Sequence, residues 1–389
     1  MHRHRARAIL PAANTFRGAS PMRHILLLIG LLVGLLSPAA AQQAEFWSQS
    51  GDRLRFEATG ISLPRDPAVV RFKGTKEFSR KGEGLDTALQ YQSPDGEVWA
   101  TAYVYLSGVA HAGLASLATT EALKLHSENP VTVRRTSVVP AGGAQSVAIR
   151  IDFDNYRGDN ASSAAFIKAD RWLIKLRVTG PEQRAGEVDA VMTALLEGLR
   201  FEGKVKPSTT ALIAAEPCPA ATLPDAMPIA ESKDDPMANV IGLGLLDPAG
   251  ERAEGNGGKD TDLLLSRIGT DWCRGVAVVG ETRVTFLRAT GADEADDPRT
   301  KSVLLVLYSD AGGLLEVARR REGGFVLLNH GIATTEILGM LDKVPSDRQI
   351  VRYLSGAEDE ILRRRATITL KRDGGTETQV TIPEAPPTA

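Results

Sequence analysis

Cysteine, histidine and aromatic residues are all scarce in this 389-residue chain, and each shortage closes off a chemistry. Only Cys218 and Cys273 are present, which excludes cysteine-only zinc ribbons and iron–sulfur sites, since those need four thiolates or a mixed set. After His24 only His111, His126 and His330 remain. They lack the His-Glu-x-x-His spacing, so a metal site would need all three gathered from distant segments. No Gly-x-Ser-x-Gly elbow occurs, and no Ser-x-x-Lys opens a helix, so a serine hydrolase has no support. In the glycine-rich stretch 255–261, Ala253 stands where a phosphate loop needs its first glycine and Asp260 where it needs Ser or Thr. Gly242-Leu243-Gly244 meets Asp247 instead of the third glycine of a dinucleotide fingerprint. No cofactor and no metal ligand set is expected.

Long apolar runs are missing as well, except for a short one near the start. Residues Ile25 to Leu36 form a twelve-residue run, preceded by Arg23 and His24 and followed by Ser37-Pro38-Ala39-Ala40-Ala41. Spanning a bilayer takes about 20 residues. The run instead fits the core of a secretory signal, with small residues before a cleavage site after Ala41. Five arginines and no acid in residues 1–41 orient that end toward the cytoplasm. A start at Met22 gives a leader of ordinary length. Removing the leader leaves 41 basic against 48 acidic residues. That mildly acidic balance disfavours nucleic acid as a partner, because phosphate contacts supply most of such affinity. The expected location is the periplasm or outside the cell, with no stable membrane span after signal removal. In that oxidising space Cys218 and Cys273 are expected to form a disulfide. Without a Cys-x-x-Cys it would be structural, pinning a connecting segment to a second domain.

The pattern along the chain divides it into 1–41 signal peptide, 45–203 first domain, 204–237 proline-rich linker, 238–383 second domain and 384–389 flexible tail. In the first domain, alternating runs on either side of Ser93-Pro94-Asp95-Gly96 predict a hairpin, with Trp99, Tyr103 and Tyr105 on one face of its second strand. Leu114, Leu117, Ala118, Ala122 and Leu125 predict a helix ending at Asn129-Pro130. Three strands come next, then the amphipathic stripe Val188, Val191, Met192, Leu195, Leu196 and Leu199. This order, with Ala169-Asp170-Arg171-Trp172 to Gly180-Pro181 and the closing helix, resembles the PsbP-like α/β/α sandwich over residues 51–201. The resemblance implies a binding or accessory role and carries no catalytic motif across. The second domain reads as a meander over 303–328, helices over 332–341 and 347–354 with Ser346 as N-cap, and a last hairpin about Asp373-Gly374-Gly375. The fold class expected is therefore α+β: an antiparallel sheet packed by helices, then a second, smaller α+β domain.

Few residues invite a function. His330, at an expected strand-to-helix junction, is the best single acid–base candidate. The triplets Arg319-Arg320-Arg321 and Arg363-Arg364-Arg365 could bind an anion if they share a face; otherwise each pairs with Glu316, Glu322, Glu358 or Glu360. Asp152, Asp154, Asn155, Asp159 and Asn160 have the wrong spacing for calcium, and Asp152 and Asp154 read as the solvent side of a strand. The function expected is an exported, non-catalytic binding or accessory protein whose partner is an unknown protein or envelope polymer. The alternative is a carboxylate-dependent hydrolase of envelope glycan.

Overall fold

The computed structural model describes residues 46–79, 82–125, 131–203, 205–219, 223–229, 272–279, 282–290, 302–309, 313–320, 323–355, 360–373 and 375–380. The expected signal segment, the stretch 238–271, His126, Arg321, Glu322, Glu358 and the tail lie outside them. So do the glycine-rich stretch and the acidic clusters at 233–235 and 293–297.

Three sheets are built from these residues. A four-stranded sheet holds β1 (Trp47–Ser50), β2 (Arg53–Phe56), β3 (Ile61–Pro64) and β11 (Arg200–Phe201). A seven-stranded sheet holds β4 (Arg71–Glu77), β5 (Asp86–Gln92), β6 (Trp99–Leu106), β7 (Thr132–Ala141), β8 (Ser146–Tyr156), β9 (Asn160–Ala169) and β10 (Trp172–Pro181), in the order β4-β5-β6-β10-β9-β8-β7. The nine-stranded sheet runs in chain order from β12 (Ala215–Pro217) through β13 (Trp272–Val279), β14 (Thr282–Ala289), β15 (Ser302–Leu307), β16 (Leu314–Arg319), β17 (Phe325–His330), β18 (Thr334–Leu341) and β19 (Ala366–Leu370) to β20 (Thr376–Val380). Every ladder is antiparallel except β12 with β13. Three α-helices accompany them among the described residues: α1 (Ala112–Leu125), α2 (Ala185–Gly198) and α3 (Asp347–Leu354).

The expected α+β class is overturned by this balance; the fold is β-rich. Two features of the chain explain the difference. A 14-residue helix is about 21 Å long, whereas seven strands span about 30 Å across, so α2 alone cannot roof the sheet. The small sheet β1-β2-β3-β11 covers the rest of that face, and its short strands leave little periodicity in the sequence. Val188, Val191, Met192, Leu195 and Leu196 of α2 share one core with Phe56, Ile61 and Leu63 of the small sheet and Ile174, Leu176 and Val178 of β10. In the second half, the helix expected over 332–341 is strand β18. Thr334, Thr335 and Ile337 are β-branched and stiff at χ1, which favours the pleated surface. The α3 reading agrees with the structure: Ser346 Oγ accepts from the Gln349 N–H at 3.1 Å.

The described part of the proline-rich segment leaves the seven-stranded sheet, where the Ser208 N–H donates to the Lys168 carbonyl at 3.0 Å, and from β12 onward is an arm held against the nine-stranded sheet. Cys218 is bonded to Cys273 at the start of β13. Farther along, the Met227 N–H donates to Asp342 Oδ1 at 2.7 Å and the Ile229 N–H to the Met340 carbonyl at 2.9 Å.

A backbone seam joins the seven- and nine-stranded sheets. The Gly108 N–H donates to the Gly331 carbonyl at 2.8 Å, the Ala333 N–H donates to the Leu106 carbonyl at 2.7 Å, and Ser107 bridges Ile332. A Cβ on Gly108 would lie 2.5 Å from the Thr334 carbonyl oxygen. Replacing Gly108 by alanine is therefore expected to cost about 2 kcal/mol through overpacking, read from urea midpoints; an unchanged midpoint would show that the seam yields freely. Beside it, Leu114 and Ala118 of α1 pack with Trp272, Leu305 and Leu314.

Candidate functional site

The outward face of the seven-stranded sheet is only partly roofed, and strand register says what lies on it. Across β5, β6 and β10, paired residues form the rows Gln92–Trp99–Thr179, Gln90–Thr101–Arg177, Ala88–Tyr103–Lys175 and Asp86–Tyr105–Leu173. Residues two apart share a face, so all four rows point the same way. The helix α1 covers the last row, packing near Tyr105, Leu173 and Phe166. Nothing comparable among the described residues covers the first rows on the β4 side. Trp99 is 38% exposed and Phe78, just after β4, 42%. The expected ring face is thus divided, with Tyr105 beneath α1 and Trp99 in the open.

Cations and rings alternate over this face. The Arg177 guanidinium lies 4.4 Å from the Tyr156 ring centroid, and Lys76 Nζ lies 4.8 Å from that of Phe78. Lys175 is buried with Nζ 5.8 Å from Tyr103 and 5.9 Å from Phe166. The Phe78 and Tyr103 rings meet at 6.0 Å. Gly74 of β4 pairs with Gln90, and a Cβ there would meet nothing within 4 Å. The row through Gly74, Gln90, Thr101 and Arg177 is therefore a shallow trough between the rings of Trp99 and Tyr103.

Two titratable groups border the covered end. Burial, then the Glu77 charge, push the Asp86 carboxyl up to about 6 against the pull of Lys175. Burial, then the Lys168 charge, push His111 down to about 4. His111 Nδ1 accepts from the Leu114 N–H at 3.2 Å and so caps α1 as a neutral ring. The linkage signs are opposite. Asp86 holds a proton in the folded chain that the unfolded chain has lost, so its contribution is present in acid and disappears as pH rises through about 6. His111 refuses a proton that the unfolded chain accepts, so its contribution is present above about pH 6.5 and disappears as pH falls toward 4. Asp86→Asn should therefore make stability fall on acidification across that window. His111→Asn should make it rise. Each variant's thermal midpoint relative to the wild type's, from pH 4 to about 7, checks this, and differences that change in the same direction with pH would refute it.

The structure sets the sequence candidates in very different surroundings. His330 ends β17 and is succeeded by a tight turn into β18, not by a helix. It has no exposed surface. Its Nε2 lies 2.8 Å from Glu316 Oε2 and its Nδ1 2.9 Å from Thr335 Oγ1, while Ser302 Oγ donates to Glu316 Oε1 at 2.6 Å. This polar chain stitches β15, β16, β17 and β18 together and no substrate reaches it. The described members, Arg319 and Arg320 on one side and Arg363, Arg364 and Arg365 on the other, lie toward one end of the nine-stranded sheet with β17 and β18 between them. They are not presented alike. Arg319 lies over the Phe325 ring, Arg320 donates its backbone N–H to the Gly324 carbonyl, Arg363 is exposed, Arg364 pairs with Glu336 at 3.3 Å, and Arg365 is buried. Glu316, expected beside the first triplet, belongs to His330.

Asp152 is not on a solvent face. It is fully buried on β8, accepting from Arg135, Arg150 and Ser163. Burial opposes its ionisation, but the Ser163 hydrogen bond and the Arg150 charge outweigh that and hold its carboxyl below the usual range. Asp86 has no counterpart among the sequence candidates. Its only signal is a carboxylate at a β-strand start, where acids are ordinary. No group of three metal-ligating side chains occurs among the described residues.

No family model matches this chain, and no curated protein matches it. A crystal structure of a Bacteroides thetaiotaomicron protein is similar at 12% identity, over 59% of this chain and 84% of that one, with a TM-score of 0.22. A score that low carries no argument about fold or function.

Proposed function

We propose that this chain is an exported binding or accessory protein, and that the open half of the seven-stranded sheet is its binding face. The observation that carries the reading is the pair of exposed large rings, Trp99 and Phe78, set among cations on one sheet face. Exposed apolar side chains rimmed by polar groups mark interaction sites, and aromatic residues are enriched at binding surfaces. Export is supported by the Cys218–Cys273 disulfide, a bond that persists in oxidising compartments, together with the leader expected over 1–41. Among the described residues no helix is long and apolar enough to cross a membrane.

The raised pKa of Asp86 favours the glycan-cleaving alternative. That reaction needs a second working carboxylate. The neighbouring one, Glu77, is committed to the Ser79 and Gly84 N–H groups, so binding is the better reading.

The test uses the chain from Gln42 onward, immobilised and exposed to envelope extract, beside a Trp99→Ala/Phe78→Ala double variant. Material retained by the first column and lost from the second supports the proposal; equal retention removes the face. Full-length chain recovered from the cytosol with its leader attached removes the export half.

A further inference from the structure

We propose that the trough through Gly74, Gln90, Thr101 and Arg177 binds an anionic polysaccharide, a chain of pyranose rings carrying carboxylates. The proposal rests on the binding-face reading and names its ligand. Three features of the face point to that chemistry.

The first is shape. The row Gly74, Gln90 and Thr101, closed by Arg177, runs across β4, β5, β6 and β10, with Trp99 on one side and Tyr103 on the other. A Cβ at Gly74 meets nothing, so the β4 end of the row is open. A linear chain of rings fits a trough lying across strands, and flat aromatic surfaces suit the C–H faces of sugars, being apolar with polar edges.

The second is charge. Lys76 and Arg177 stand on these rows, and the three rows beginning at Gln92, Gln90 and Ala88 hold no carboxylate. Asp86 enters only at the fourth, beneath α1. The acids nearest the Trp99 end, Asp95 and Glu97, are engaged by Arg184 at 2.6 and 3.0 Å. In a chain with an acidic balance beyond its leader, this segregation complements an anion.

The third is an open valence. Arg177 is stacked on Tyr156, and its Nη2 is buried without a hydrogen-bond partner among the described residues. A guanidinium held flat by a ring is preorganised for a carboxylate.

The experiment measures retardation of the chain from Gln42 onward in gels containing alginate, a polyuronate, with neutral dextran, dextran sulfate and duplex DNA as parallel probes. Alginate should retard the chain, with an effect that weakens as salt is added, and dextran should not. Trp99→Ala and Arg177→Gln should each weaken alginate binding about tenfold. Gly74→Phe, whose ring enters open space rather than the core, should block the trough in a protein that still folds. Val138→Ala, on the exposed edge strand β7, should change nothing. Dextran sulfate binding with the same dependence on Trp99 and Gly74 would shift the anion from carboxylate to sulfate and overturn the carboxylate assignment. Binding of all polyanions, DNA included, regardless of Trp99 would reduce the face to a cation exchanger and overturn the proposal. If alginate fails while Trp99-dependent capture from envelope extract persists, the ligand class is wrong and the binding face stands.

Discussion

Glu316→Ala is expected to destabilise the protein by about 3–5 kcal/mol, enough to abolish folding in a marginally stable chain. Glu316 and His330 have no exposed surface, and each is the other's partner in a hydrogen-bonded run from Ser302 to Thr335. Removing the carboxylate leaves an imidazole and a serine hydroxyl in the core without their acceptor, and buried polar groups left unmade cost more than their bonds were worth. The same argument predicts the reverse for a double change. Glu316→Leu with His330→Leu removes both polar groups at once, so it should be far milder than either single change. Urea denaturation of Glu316→Leu, His330→Leu and the double closes the cycle. Additive losses would mean that the two side chains are not a unit.

Loss of the disulfide comes next in size. Cys218→Ser with Cys273→Ser reopens a loop of 55 residues, which the chain-entropy account values at about 4 kcal/mol. A local signature separates this from general loosening. The bridge fastens the arm next to β12, and farther along the arm is held by Met227 to Asp342 and Ile229 to Met340. Hydrogen exchange in the double variant should therefore accelerate first at the amides of position 218, Met227 and Ile229, ahead of β16 and β17. An arm protected as before, with a global stability change under about 1 kcal/mol, would show that hydrogen bonds alone hold it.

Local pattern is legible wherever one face of an element is buried. The stripe from Val188 to Leu199, the alternation from Trp99 to Leu106 and the cap at Ser346 each describe a single element against a single core, and each shows in the sequence. The strands of the small sheet do not. Four-residue strands such as Arg53–Phe56 give too few alternations to stand out. Thr334–Leu341 misleads in another way. It is buried on both faces over its second half, and an apolar run covered on both sides has no period to distinguish strand from helix. The site is legible only as residue types. That Trp99 is open while Tyr105 is covered depends on where α1 comes to rest, and Asp86 gains its character from Glu77 and burial, neither visible in its own segment. Asp152 shows the limit most plainly: an acid alternating with Ile151 and Phe153 looks solvated, yet two arginines and a serine enclose it.

The junction of Leu106, Ser107 and Gly108 with Gly331, Ile332 and Ala333 sets an order of events for a chain delivered from its first residue onward. The early sheet emerges long before the strands that cap its far end, and pairing across so great a contour distance is slow. Until Trp272, Leu305 and Leu314 arrive, the underside of α1 at Leu114 and Ala118 stays bare. Any stage reached before those strands fold would expose that apolar surface, and clumping or proteolysis would compete there with completion of the fold.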